Sequence, residues 1–596
     1  MRIEVSPKSI THSLLSKALF GLILTLCNLP VFAAIIDVSS CPGTVQSDNT
    51  YRLTANLSVE LSSSSTSCFR ISNQSDVIID LAGFDILMRS SQLSDTSRSG
   101  VAVQCTNSEN FQLTDTVGGG GIRQSNQSGQ NGWNVIAIDI EDCDDYVVGH
   151  ASNQIALHTT RSHRTLGGVI TVRRRSNGEL RNLSVQMSGD PQLWDNTETP
   201  GRAIAFYSGF GIRNHRMTNI QVECYASEDD TPTCIVAQDH GLIANEISVT
   251  NPHGGCMEIN ATASQIVDIE NASCNGESIT AYHNFSGSVS GLEGGELVVS
   301  NSNATFEDIW MKGGVYVRGG SNIFRNLRIC RAQQDGHCTN NIADFANGQL
   351  LTTGRIEIYN AEIFAGHGWG GWYSALQFRG VPAGSRLENV HLKSASLRAF
   401  YAYQAPVNDG WIHEKVVYES VQCNPNEPPE PGVPAHPDFC PANQLPVHVR
   451  TCGGQVDGSG NPNRCIFRNS VALGGDTYDV VVGSIWPMPN GSSSFVFDNF
   501  AFSGTGRLQL SFIRDTYLGD GMVLVMDPVF PFEAVFTNFE ESTEALVRVG
   551  TGDALTETFT CLSEIALDFT SSSPNCGRTE ACLTTPRPCT SAPPSF

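Results

Sequence analysis

Short runs of alternating apolar residues return along this chain at near-constant intervals, and that recurrence constrains the fold more than any other feature. Ile235, Met257 and Ile279 are each 22 residues apart, and Leu376 and Phe400 are 24 apart. Val77-Ile-Ile-Asp-Leu, Val135-Ile-Ala-Ile-Asp-Ile, Gly168-Val-Ile-Thr-Val and Gly314-Val-Tyr-Val belong to the same set. A period of two predicts strands with one buried face. Between the runs a second phrase recurs: LRNLSVQ from Leu180, MTNIQVE from Met217, VDIENAS from Val267, FRNLRIC from Phe324, IYNAEIF from Ile358 and LENVHLK from Leu387. An Asn or Glu returning once per turn beside apolar residues suits a coil of short strands. Each strand stacks on its equivalent in the previous coil and buries a shared apolar column, so many repeats are needed. The stretch from Ile279 to Val315 is expected to be a loop bulging from one coil. Sandwiches need hairpin turns every 8–12 residues and propellers a longer blade repeat, and both fit less well. The expected fold is all-β, a right-handed parallel β-helix solenoid.

The opening coils carry a likeness. Cys41-Pro-Gly-Thr-Val, Tyr51-Arg-Leu-Thr-Ala-Asn-Leu, Cys68-Phe-Arg-Ile and Val77-Ile-Ile-Asp-Leu-Ala-Gly-Phe-Asp-Ile resemble the first coils of bacterial β-helix proteins. The group is the pectin-lyase-like superfamily, and the likeness extends over about residues 41–420. It speaks for the fold and leaves the reaction open, because the superfamily holds polysaccharide lyases, glycoside hydrolases, uronate epimerases, phage tailspikes and adhesins. The resemblance allows calcium as a cofactor, although no Asp cluster marks a metal site and the sequence requires no cofactor.

Residues 1–33 read as a signal peptide: Lys8 and Lys17, the apolar run Ala18–Leu26, and small residues up to Ala33. Residues 34–420 are expected to form the β-helix and 421–465 a Cys/Pro-rich insertion. Further β coils are expected over 466–560, and a Cys-rich tail over 561–596 that caps the open strand edges. Loss of the signal removes Cys27 and leaves 18 of the 19 cysteines. An even number spread along an exported chain predicts disulfides, with Cys224/Cys234, Cys330/Cys338 and Cys423/Cys440 as local pairs. The protein is therefore expected to be secreted, periplasmic or at the cell surface, without a membrane span after cleavage, and a monomer. A net charge of −24 argues against nucleic acid as a partner. The expected partner is a polysaccharide or cell-surface glycan.

Register along the strands places polar side chains outward in a ladder with steps of about 4.8 Å. Arg173, Tyr207, Asn260, Arg379, Tyr401 and Tyr403 are candidate substrate contacts, with aromatic rings for sugar faces and arginines for hydroxyls or carboxylates. Trp369 and Trp372, in Gly366-His-Gly-Trp-Gly-Gly-Trp, are candidate sugar platforms on a covering loop. Gly366-His-Gly matches one polygalacturonase element, but the accompanying motifs are not found in order. His240, Glu258, Tyr282, His283 and Arg318 are the candidate catalytic group, with His253 nearby. A lyase or epimerase needs a base for the proton α to the uronate carboxyl and a cation for the enolate, whereas a hydrolase needs two carboxylates. The expected function is a carbohydrate-active enzyme, lyase-like, with hydrolase or epimerase chemistry open. The alternative is a non-catalytic glycan-binding adhesin or cell-surface structural protein. Gly118-Gly-Gly-Gly is not expected to hold phosphate, since no Lys-Ser/Thr follows it.

Overall fold

The computed structural model describes residues 34–420 except 62–65, 90–98, 125–133, 161–167, 189–201, 209–213, 225–232, 252–253, 263–264, 276–278, 366–373, 380–383, 395–397 and 404–411. Beyond residue 420 it describes chiefly the backbone of strands between residues 448 and 551. Almost all of the described structure is β, in parallel strands stacked into long sheets, an arrangement consistent with a β-solenoid. The described exceptions are a helical turn at Ile342–Asp344 and an antiparallel pair, Gln333–Gln334 with His337–Cys338.

One sheet is built mostly from short strands, with Ser99–Glu109 and Asn134–Asp144 the long ones. Its inward column runs Phe69, Val103, Ile138, Ile170, Ile204, Ile235 and Met257, each paired with the next. It continues through Thr280, Leu297, Val315, Leu350, Leu376 and Phe400. These side chains are buried, so the column is the continuous core that single repeats lack. Apolar burial at about 25 cal/mol per Å² drives this stacking.

The second sheet uses longer strands that bend once, and the recurring Asn phrase supplies the bend. Asn182, Asn219, Asn271, Asn326, Asn360 and Asn389 all have φ between 48° and 55°, and Glu246, Asp308 and Lys415 occupy the same bend in other rungs. Left-handed backbone costs Asn and Asp less than other side-chain-bearing residues. The amides also bond along the stack: Asn219 Nδ2 donates to Asn182 Oδ1 at 2.6 Å, and Asn389 Nδ2 to Asn360 Oδ1 at 2.9 Å. Bend and ladder together explain why Asn returns once per turn.

Two expectations need correction. The segment from Ile279 to Val315 holds an additional short rung, Glu296–Ser300, paired on both sides, and is not a bulging loop. The long excursion lies between Ile329 and Leu350. It is held by Cys330–Cys338 and packs Phe345 on Phe364 beside Trp310. The register at Met257 is also offset, because its partner is Thr280 and not Ile279. A slip of one residue exchanges the two faces of a strand.

Five disulfides join Cys41–Cys68, Cys105–Cys143, Cys224–Cys234, Cys256–Cys274 and Cys330–Cys338, and every cysteine whose side chain is described is in one. Cys423 and Cys440 lie outside the described residues. Among the described residues no helix is long and apolar enough to cross a membrane. The Gly118 loop is closed by a carboxylate. The N–H groups of Gly83, Gly118 and Gly120 all donate to buried Asp115, at 2.8, 3.1 and 2.8 Å. Gly118 and Gly119, at φ 94° and 89°, allow the backbone to turn that way.

Candidate functional site on the short-strand sheet

Alternation along the short strands turns two rows of side chains away from the core. The first row passes through Asp139, Thr171, Ala205, Val236, Glu258, Ala281, Val298 and Tyr316. It is buried from Asp139 to Val236 and opens at Glu258. The second row passes through Glu141, Arg173 and Tyr207, then Gln238, Asn260, His283, Ser300 and Arg318. This row stays at least partly exposed throughout. In six of its eight rungs the backbone turns immediately after it through a left-handed residue: Asp142, Arg174, Asp239, Asn284, Asn301 and Gly319. That corner fixes the second row along one edge of the sheet.

The two ends of the row differ electrostatically. At Arg173, Nη2 lies 2.6 Å from both oxygens of Asp139, with Glu141 at 3.9 Å. Burial works against the charge on Arg173, but Asp139, Glu141 and Tyr207 together more than offset it and raise the guanidinium further. Tyr207 accepts a hydrogen bond from Arg202 Nη1 at 2.6 Å, with the Arg202 guanidinium 5.2 Å from its ring centre. Burial pushes the Tyr207 phenol up, against the pull of Arg202. Arg173 and Tyr207 are thus on the expected face, but Arg173 is already neutralised.

Farther along, Glu258, Asn260, His283 and Arg318 come together over four successive rungs. Burial pushes the half-buried His283 imidazole below its ordinary value; the Glu258 charge opposes that shift and the Arg318 charge adds to it. Arg318 is exposed, and no carboxylate pairs with it among the described residues. Arg379 sits two rungs beyond, because Thr352 pairs with both Val317 and Phe378, and it is likewise exposed.

Two expected catalytic residues point the other way. Tyr282, paired with inward Ile259 and Val299, is fully buried and packs on Phe285 and Phe306 at 5.5 and 6.2 Å between ring centres. Burial raises its phenol, and its hydroxyl has no hydrogen-bond partner among the described residues. The cause is the offset register: the interval from Met257 is one residue longer than the 22-residue count implied. His240 is also fully buried. It follows the left-handed Asp239, which turns the chain inward. Its Nδ1 meets His215 Nε2 at 3.0 Å, its Nε2 meets the Tyr207 carbonyl at 2.8 Å, and His215 Nδ1 meets the Tyr146 hydroxyl at 2.9 Å. One set of neutral tautomers satisfies the chain: Tyr146 donates to His215, His215 donates to His240, and His240 donates to the carbonyl. This is a buried structural network. It forms part of the floor of a separate cavity of about 540 Å³ lined by Asp145, Asn177, Glu179, Asn214 and Arg216.

His253, Trp369 and Trp372 lie outside the described residues, as do the side chains of Tyr401 and Tyr403. Their strand backbone does continue the ladder, with Gln377 paired to Tyr401 and Arg379 to Tyr403. Among the described residues no group of three His, Cys, Asp or Glu is placed to hold a metal ion.

Comparison of the chain with protein-family models, with curated proteins and with solved structures finds no match. Function therefore rests on the face itself. Sequence reasoning overlooked Asp139, Glu141 and Arg202. The first two were legible as alternate positions of the run beginning at Val135, whereas Arg202 lies at a strand start with no pattern of its own.

Proposed function

We propose that this chain is a secreted right-handed parallel β-helix protein that cleaves an acidic polysaccharide by lyase-type chemistry on the outer face of its short-strand sheet. The observation that carries the reading is the set Glu258, His283 and Arg318. It combines a half-buried imidazole held below its ordinary value, a carboxylate one rung away and, two rungs away, a guanidinium that no carboxylate pairs with among the described residues. A neutral imidazole at pH 7 accepts a proton, as required at the carbon α to a uronate carboxyl. The charge of Glu258 favours the imidazolium that forms. Arg318 pairs with the substrate carboxylate and stabilises the enolate as charge moves onto it. The C–O bond at the β-carbon then breaks: its electron pair leaves with the glycosidic oxygen, which takes up a proton from water as a new chain end, the imidazolium returns its proton to solvent, and the other product is an unsaturated sugar. Export is supported by the apolar N-terminal run and by five disulfides, which persist in oxidising compartments.

The test is a screen of uronate-containing and neutral polysaccharides that reads new reducing ends together with ultraviolet absorbance of an unsaturated product. Both signals from a uronate polymer, abolished by His283→Ala, are expected. New reducing ends without absorbance would replace lyase by hydrolase chemistry. Binding without cleavage would favour a glycan-binding adhesin.

A further inference from the structure

We infer that this face reads an acidic glycan carrying one negative charge on every second sugar; the inference rests on the proposed function of the same face and narrows its substrate. From His283 onward the second outward row alternates in chemistry from rung to rung. His283 is followed by Ser300, Ser300 by Arg318, and Arg318 two rungs later by Arg379, with Thr353 at the rung between. Basic or imidazole groups thus alternate with hydroxyls. Parallel strands rise about 4.8 Å per rung, so the two guanidinium-bearing positions repeat at roughly 9.6 Å. One rung is close to the length of one extended pyranose residue, and two rungs match a disaccharide. A chain lying along the stack would set an acidic group against each arginine and a neutral, hydroxyl-rich sugar against each Ser or Thr.

The charge state of the arginines supports the same conclusion. In a chain of net charge −24, basic side chains elsewhere commonly have a carboxylate at hand. Arg52 pairs with Asp80, Arg123 with Asp85, Arg173 with Asp139 and Arg355 with Glu357. Arg318 and Arg379 have none among the described residues; Arg70, Arg216 and Arg325 also lack one, but Arg318 and Arg379 share one row two rungs apart. At the other end of the row the chemistry becomes amide, with Gln238 and Asn260 in adjacent rungs. A homopolymer of uronate would place every other carboxylate against a hydroxyl, without a counter-charge.

The experiment measures the affinity of the full-length mature protein for three decasaccharides at fixed salt. One is from hyaluronan, with one carboxylate per disaccharide; one is an oligogalacturonate, with one carboxylate per sugar; the third is a neutral maltodextrin. The alternating chain should bind at least tenfold more tightly than the homopolymer. Arg318→Gln and Arg379→Gln should each weaken its binding about fivefold, as expected for an exposed charge pair. Arg355→Gln, on the bent-strand sheet, should leave binding unchanged. Equal or tighter binding of the homopolymer would overturn the charge spacing and leave the glycan-cleaving reading intact. Tight binding of the alternating chain without cleavage would support the spacing while removing the enzyme. Binding of none of the three, or of the neutral chain best, would overturn both.

Discussion

Tyr146 and Tyr282 are both fully buried, and the same substitution should act on them with opposite sign. The Tyr146 hydroxyl donates to His215 Nδ1 at 2.9 Å, at the head of the buried chain that runs on to His240. Tyr146→Phe removes that donor and leaves an imidazole nitrogen in the core short of one partner. Such a loss costs roughly 1–3 kcal/mol. The Tyr282 hydroxyl makes no hydrogen bond among the described residues, so its desolvation is uncompensated in the packing of Phe285 and Phe306. Tyr282→Phe keeps the ring and removes the hydroxyl, which should stabilise by about 1–2 kcal/mol. Urea denaturation of both variants beside the parent, comparing midpoints at constant m, reads the difference. The Tyr146 variant should move to lower urea and the Tyr282 variant to higher urea. Movement of both in the same direction would refute the assignment of the two hydroxyls. Loss of cleavage in Tyr282→Phe would refute the inward register.

Burial pushes the His413 imidazole down to about 3, so the native protein takes up this proton far below the unfolded value near 6.5. In that interval the unfolded state binds more protons. Stability should therefore fall with acid by up to about 1.4 kcal/mol per pH unit, and His413→Phe should flatten the slope of the denaturation midpoint against pH; equal slopes would contradict this. Asp115→Ala, which strips three N–H groups of their acceptor, should destabilise by roughly 2–4 kcal/mol in the same urea assay, and an unchanged midpoint would contradict the loop's dependence on that carboxylate. Because His283 sits below its ordinary value, the acid limb of kcat/KM should turn below pH 6.5; a limb above 6.5 would argue against His283 as the base.

How much the sequence disclosed depends on which physical signal each residue carries. The apolar alternation and the returning Asn were readable because burial and the left-handed bend impose a residue type once per rung. The outward placement of Glu258, Asn260, Arg318 and Arg379 followed from that alternation. Tyr282 was misplaced because a rung can lengthen by one residue, as between Met257 and Thr280, without changing the look of the pattern. The extra rung at Glu296–Ser300 escaped notice for a similar reason. Rungs here range from Thr280 to Leu297, a short turn, to Val315 to Leu350, which carries an excursion, so no single period describes them. His240 has no sequence signal for its burial, since its partners His215 and Tyr146 come from distant turns. The pairing of Arg173 with Asp139 is likewise a contact across rungs.

The outward row around His283 and Arg318 carries the proposed cleavage, and the Arg318→Gln variant decides whether it does. The substitution should lower kcat on the cleaved polysaccharide by a factor of about 10² or more, since a fixed charge on the enolate is lost. The denaturation midpoint should not move, because an exposed side chain with no carboxylate partner among the described residues contributes little to the core. Unchanged turnover by a folded Arg318→Gln protein would contradict that role.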